Sequence, residues 1–238
     1  ADPRAAAFCR PDGPDVFGGV VYASHVWTAD DFDVDTIHAE ARGAFARALA
    51  RAAAPDAPPH GRVLLLLGQA GSGKTHLLRA FRAAAHDAGE GYCGYLQMTT
   101  RVDSYDRYVL ANLIDSLEKP YQPGDPVTGL RRLARGVLDA LVDFPDDDRR
   151  ALADDHTLTP DETARLVHRM AFAAVQYPRF QGVDLDVIRA VLFVLASDPR
   201  MHAVALKWLR CEDLGKYDRE LLGDLVPRPH PQMAARTC

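Results

Sequence analysis

Gly68, Gly73, Lys74 and Thr75 stand at the spacing G-x-x-x-x-G-K-[ST], with Gln69, Ala70, Gly71 and Ser72 between them and His76 next in line. These residue types at this spacing suit the gripping of a triphosphate. Glycines let the backbone turn through conformations closed to residues with a Cβ. The loop N–H groups then face one concavity, and the helix that follows adds its positive dipole end. Lys74 would reach the β- and γ-phosphates, and the Thr75 hydroxyl would hold Mg²⁺. The expected site is therefore Gly68, Gln69, Ala70, Gly71, Ser72, Gly73, Lys74, Thr75 and His76, with Lys74 catalytic and Thr75 the metal ligand.

Such a loop needs a strand before it and a helix after it. Residues 63–67, Val-Leu-Leu-Leu-Leu, form an apolar run without alternation, which predicts a buried parallel strand. After Lys74, the residues Leu77, Leu78, Phe81, Ala84 and Ala85 share one helical face, and Ala88-Gly89 is a natural helix end. Ahead of the loop a helix is predicted over 35–53, with Ile37, Ala41, Ala44, Phe45, Ala48 and Leu49 inward and Asp33 or Asp35 as its N-cap. Pro55, Pro58 and Pro59 make a stiff connector. A second strand is predicted over 91–98, ending in Thr99, Thr100 and Arg101. In an open parallel sheet ligands sit beyond the carboxyl ends of the strands, which would bring Arg101 and Asp103 near the site.

From there the pattern turns helical. Helices are predicted over 104–117, 128–142, 159–177, 184–196, 199–209 and 218–225, with an acidic stretch at 146–155 read as a solvated linker. Thr159-Pro160-Asp161-Glu162 combines an N-cap, a proline in the first turn and a capping box. Residues 1–32 read as a surface arm with a short strand over 16–26. The organisation is thus an arm over 1–32, a nucleotide-binding core over 33–101, a helical region over 102–226 and a tail over 227–238. The fold class is α/β: a P-loop NTPase parallel sheet, incomplete in this chain, with a large all-helical segment after the second strand.

One half of the expected chemistry is not located. A P-loop NTPase usually carries an apolar strand ending in an acid that helps hold Mg²⁺ and place water. Residues 138–143 end in Asp143 and residues 191–198 end in Asp198, but both show helical spacing, so these acids read as a solvent-facing residue or a helix cap. Two strands fall short of the usual sheet of about five, so the sheet is expected to continue beyond Cys238. The Ala at position 1 fits a processed chain or a piece of a longer one.

Composition sets outer bounds. The 238 residues carry 28 Lys and Arg against 33 Asp and Glu, a net charge of −5, so the whole chain has no nucleic-acid footprint. Cys9, Cys93, Cys211 and Cys238 are isolated and lack zinc spacing, which leaves reduced thiols as the default. No apolar run approaches the roughly 18–20 residues of a membrane span, and no secretion signal opens the chain. A cytoplasmic protein is expected. His76 and His168 read as packed or surface residues rather than catalysts, Trp27 and Trp208 as core or interface, and Arg131, Arg132 and Arg135 as a solvated basic face.

Residues 71–78, Gly-Ser-Gly-Lys-Thr-His-Leu-Leu, resemble the Walker A motif of AAA+ ATPases, especially bacterial replication initiators, their helicase loaders and origin-recognition-like ATPases. Residues 37–45 resemble the segment that packs near the adenine in those proteins and in the STAND signalling NTPases. The helical stretch resembles large bacterial ATPases of phage-defence loci. The resemblance implies ATP and Mg²⁺ as ligands, hydrolysis of ATP, a homo-oligomer or larger assembly, and a protein or DNA partner. ATP is preferred over GTP because no N-K-x-D motif occurs. The alternatives are a non-hydrolysing nucleotide-binding module of a larger defence or signalling assembly and a small-molecule kinase. The latter is disfavoured by the 60-odd residues ahead of the loop and the lack of an Arg-rich lid.

Overall fold

A computed structural model describes residues 23–28, 33–54, 61–89, 91–102, 104–121, 124–154 and 158–225. The chain divides into two compact units, Ala1–Gly91 and Tyr92–Cys238.

In the first unit the alanine-rich stretch ahead of the loop forms α1 (Ala39–Ala52), as its high helix propensity dictates. It starts later than expected, and neither Asp33 nor Asp35 caps it. His38 occupies the N-cap in a left-handed conformation, φ 57°, with no side-chain bond. The helix after the loop is α2 (Lys74–Asp87). Its buried face comprises Leu77, Phe81, Arg82, Ala85 and His86, whereas Leu78 and Ala84 are exposed. Arg82 turns inward because its guanidinium lies 4.9 Å over the Trp27 ring and donates to the Trp27 carbonyl at 3.3 Å. Trp27 ends a 3-10 turn, Ala23–Trp27, that packs on α2. The expected strand over 16–26 falls partly on this turn, and its residues 16–22 lie outside the described residues. Phe45 of α1 stacks on Phe81 of α2 with ring centroids 4.3 Å apart.

The second unit is helical: α3 (Tyr105–Leu117), α4 (Gly129–Ala140), α5 (Asp146–Asp154), α6 (Pro160–Ala174), α7 (Leu185–Phe193), α8 (Pro199–Leu209) and α9 (Lys216–Leu221). α7 is its centre, packed against α4, α6 and α8. Every residue from 187 to 196 is buried, as expected of a helix apolar on nearly all sides. Trp208, Phe193, Leu110, Leu130 and Met170 are fully enclosed in the same continuous core. The helix starts behave as their sequences dictate. Thr128, Asp184 and Asp198 accept from backbone N–H groups in the first turns of α4, α7 and α8. Thr159 and Glu162 form both bonds of the capping box on α6.

Two expectations are corrected. The described residues contain no β-strand, so the α/β fold class with a parallel sheet does not hold. A strand exists only where a neighbour takes up its ladder of N–H and C=O groups. In residues 92–99, α3 does this work with side chains. Ser116 bridges the N–H and C=O of Tyr95 at 2.9 and 2.8 Å, and the Tyr108 and Tyr105 hydroxyls donate to the carbonyls of Gln97 and Thr99. Residues 63–67 have no partner strand among the described residues, and Val63 and Leu67 stand 91% and 84% exposed. The acidic stretch read as a linker is instead α5. Asp146, Asp147 and Asp148 fill its first turn, where the helix dipole favours negative charge, and Leu152 is buried in the core. Arg149 and Arg150 pair with Asp146 and Asp147.

Candidate functional site

The loop over 68–73 is shaped by its glycines. Gly71 and Gly73 hold φ angles of 79° and 81°, the left-handed region that side chains disfavour. A Cβ on Gly68 would come within 2.4 Å of the Ser72 hydroxyl, which would have to rotate away. The turn is closed by the Ser72 N–H donating to the Gln69 carbonyl at 3.2 Å.

Lys74 opens α2 and folds back over the loop. Its ammonium donates to the carbonyls of Gly68 at 2.9 Å and Gln69 at 2.7 Å, and to the Ser72 hydroxyl at 3.3 Å. A single cation is thus centred on the loop mouth. Gly73, the N-cap of α2, supplies no capping side chain, which leaves the first-turn N–H groups of α2 for an incoming anion. Thr75 is half-buried in this first turn. Beside the loop lies a cleft of about 270 Å³, lined by Ser72, Gly73 and Lys74 of the loop, by Leu66 of the segment ahead of it, and by His38 and Ala41 at the start of α1.

His76 does not join Lys74. Its Nε2 lies 2.8 Å from the Asp33 carboxylate, which also takes two bonds from the Arg42 guanidinium at 2.9 and 2.6 Å. The Arg42 fork, with help from His76, holds the Asp33 carboxyl below its ordinary pKa against the opposing effect of burial. Sequence reasoning missed this cluster. Asp33 and His76 are 43 residues apart, and a carboxylate just ahead of a helix signals a cap before it signals an ion pair.

The remaining candidates belong to the second unit or lie outside the described residues. Arg101 is exposed in the second unit, and Asp103 lies outside the described residues. Asp143 is exposed and accepts from the Tyr177 hydroxyl at 3.0 Å, and Asp198 caps α8. Both follow the helical readings of their stretches. His168 is exposed, Trp208 belongs to the core, and Arg132 is pinned by Asp125 and the Tyr121 ring. Cys93 and Cys211 are free thiols. Among the described residues no helix is long and apolar enough to cross a membrane.

The family model of the AAA ATPase domain matches residues 41–179, more than half of the chain. This chain belongs to the AAA ATPase domain family. The match runs from within α1 across the glycine loop and ends before α7, so α7, α8 and α9 lie outside it. No curated protein and no solved structure matches the chain. Membership gives this AAA ATPase domain an ATPase-type nucleotide-binding function, for which Mg²⁺ is the usual companion ion. The residues at the loop fit that ion by their chemistry. Among the described residues no three His, Cys, Asp or Glu gather into a metal cluster. Mg²⁺ commonly takes only one or two protein oxygens beside its nucleotide and waters, and a hydroxyl such as that of Thr75 is a suitable hard donor.

Proposed function

We propose that the chain binds ATP through residues 68–75 and hydrolyses it, acting as a nucleotide-driven switch or motor on a protein or nucleic-acid partner. The observation that carries this reading is the Lys74 ammonium, held at the loop mouth by two carbonyls and a hydroxyl. A triphosphate offers that ammonium better partners, charged oxygens in place of neutral ones. The N–H groups of Gln69, Ala70, Gly71 and Gly73 would face the phosphates, while that of Ser72 closes the turn on the Gln69 carbonyl. Thr75 Oγ1 would hold Mg²⁺, which supplies neutralisation of the phosphate oxygens when bound. Lys74 would stabilise the charge that develops as water displaces ADP from the γ-phosphorus in line, releasing inorganic phosphate.

The replication-initiator and STAND flavours rest on the resemblance of residues 37–45 and 71–78, and the phage-defence setting on that of the helical stretch. So do oligomeric assembly and DNA as a partner. A second reading has a specific observation in its favour. Asp143 and Asp198, the two acids whose stretches ran closest to an acid-tipped strand, are engaged elsewhere, Asp143 by the Tyr177 hydroxyl and Asp198 as the cap of α8. A nucleotide-binding module without hydrolysis accommodates that.

ATP turnover, measured with and without DNA for the wild-type chain and Lys74→Ala, tests both. Turnover that disappears in Lys74→Ala supports the ATPase. Tight ATP binding without turnover favours the non-hydrolysing module. Unchanged ATP binding by Lys74→Ala would remove the loop from the function altogether.

A further inference from the structure

Asp33 stands between the two elements that wall the cleft at the glycine loop. Arg42, in the first turn of α1, spends its whole guanidinium on the segment ahead of that helix. Two nitrogens grip the Asp33 carboxylate, Nε donates to the Ile37 carbonyl at 2.9 Å, and Nη2 reaches the Val34 carbonyl. This fork ties residues 33–37 into a closed turn that delivers His38 in its left-handed conformation. On the other side His76, one residue past Thr75, binds the same carboxylate. A single carboxylate therefore fixes the start of α1 to the first turn of the loop helix. The two His38-side and loop-side walls come close enough that a Cβ on Gly73 would lie 3.8 Å from His38 Nε2.

Building on the reading of the loop as the phosphate site, we propose that Asp33, Arg42 and His76 form a positioning latch that sets the width of the cleft between the α1 start and the loop. The latch acts on the part of a nucleotide that extends past the phosphates into that cleft. It leaves the phosphate contacts of the loop itself untouched, because the Lys74 bonds and the left-handed glycines involve none of the three residues. Three charge-assisted bonds to one carboxylate give the latch the strength to hold this geometry.

The test separates a base-and-sugar effect from a phosphate effect. The full chain is titrated calorimetrically with ATP and Mg²⁺, and separately with inorganic tripolyphosphate, which lacks base and sugar. Asp33→Asn keeps the shape but loses the charge, and is expected to weaken ATP about tenfold while tripolyphosphate binds as in the wild type. Arg42→Lys, which keeps the charge but loses the fork, moves in the same direction and carries the test if Asp33→Asn does not fold. Equal weakening of both probes, or no weakening of either, overturns the latch. Lys74→Ala serves as the separate control: retention of both probes by that variant sinks the phosphate-site reading itself, whatever the Asp33 variants do.

Discussion

In the second unit every residue from 187 to 196 is buried, in one core with Trp208, Leu130 and Met170. In the first unit α1 buries no residue at all, Val63 and Leu67 are open to solvent, and the enclosed side chains of α2 include Arg82 and His86. One region spends its apolar residues on a core. The other holds its geometry with a few directed polar bonds: Lys74 on the loop carbonyls, Asp33 between Arg42 and His76, Arg82 on Trp27. Perturbations of packing and of ligand contacts should therefore register in different units. Burial is concentrated in the helical unit, and the proposed nucleotide contacts belong to the polar scaffold of the first.

The largest expected effect breaks the helical core. Trp208, 1% exposed, lies on α8 against α7, and Trp208→Ala should cost about 3–5 kcal/mol. Urea denaturation followed by far-UV circular dichroism measures it. A loss below about 1 kcal/mol would mean that this unit is not the stability centre. The complementary variant is Lys74→Ala. It removes one exposed-side ammonium and should leave the unfolding free energy within about 0.5 kcal/mol, while ATP affinity falls about 100-fold through the loss of charge-assisted contacts to phosphate. If the two variants shifted both observables in parallel, the division of labour between the regions would be wrong.

The same contrast explains what could be read from the chain in advance. Helices of the second unit were legible because their signals are local: apolar residues at helical spacing, the Thr159-Pro160-Asp161-Glu162 start, the Asp198-Pro199 start. The glycine loop was legible because its spacing is short and its φ demands are met at Gly71 and Gly73. The predicted strands failed for a physical reason. A run such as residues 63–67 carries apolarity but no information about which backbone would pair with it, and Ser116, Tyr105 and Tyr108 took the hydrogen bonds of residues 95–99. The acidic stretch misled because Asp in a loop and Asp in a helical first turn look alike until Leu152 is seen to be buried. The sequence places His76 beside Thr75 at the end of the loop. Only three dimensions reveal Asp33 as its partner.

A smaller effect sharpens the stability side alone. The Thr159 hydroxyl accepts from the Glu162 N–H at 3.3 Å, and Glu162 returns a bond to the Thr159 N–H at 2.9 Å. Thr159→Ala deletes the bond that the hydroxyl accepts and the one it donates to the Glu162 carboxylate at 2.7 Å, and should cost about 1 kcal/mol, read as a lowered urea midpoint with ATP affinity unchanged. A shift in ATP affinity would show that α6 influences the loop chemistry.

The smallest effect is a pH dependence within the helical unit. His202 on α8 lies 3.2 Å from the Glu118 carboxylate, and its other ring nitrogen is 3.0 Å from the Val194 carbonyl. The bond to Glu118 raises the imidazole pKa above its ordinary value of about 6.5. Burial opposes this, the Val194 carbonyl supports it, and the charge of Arg131 works weakly against it. Because the folded pKa exceeds the unfolded one, the folded state holds the proton more tightly. The stabilisation is fully present below the unfolded pKa and is lost as pH rises through the folded pKa. His202→Gln keeps a hydrogen-bonding side chain without the titrating charge. The urea midpoints of wild type and His202→Gln should therefore differ most near pH 5 and converge as the pH climbs past 6.5 and through the folded pKa. A gap that stayed constant across this range would assign His202 a packing role only, and a gap that widened with pH would mean that the ring is neutral in the folded chain and the pairing with Glu118 carries no charge.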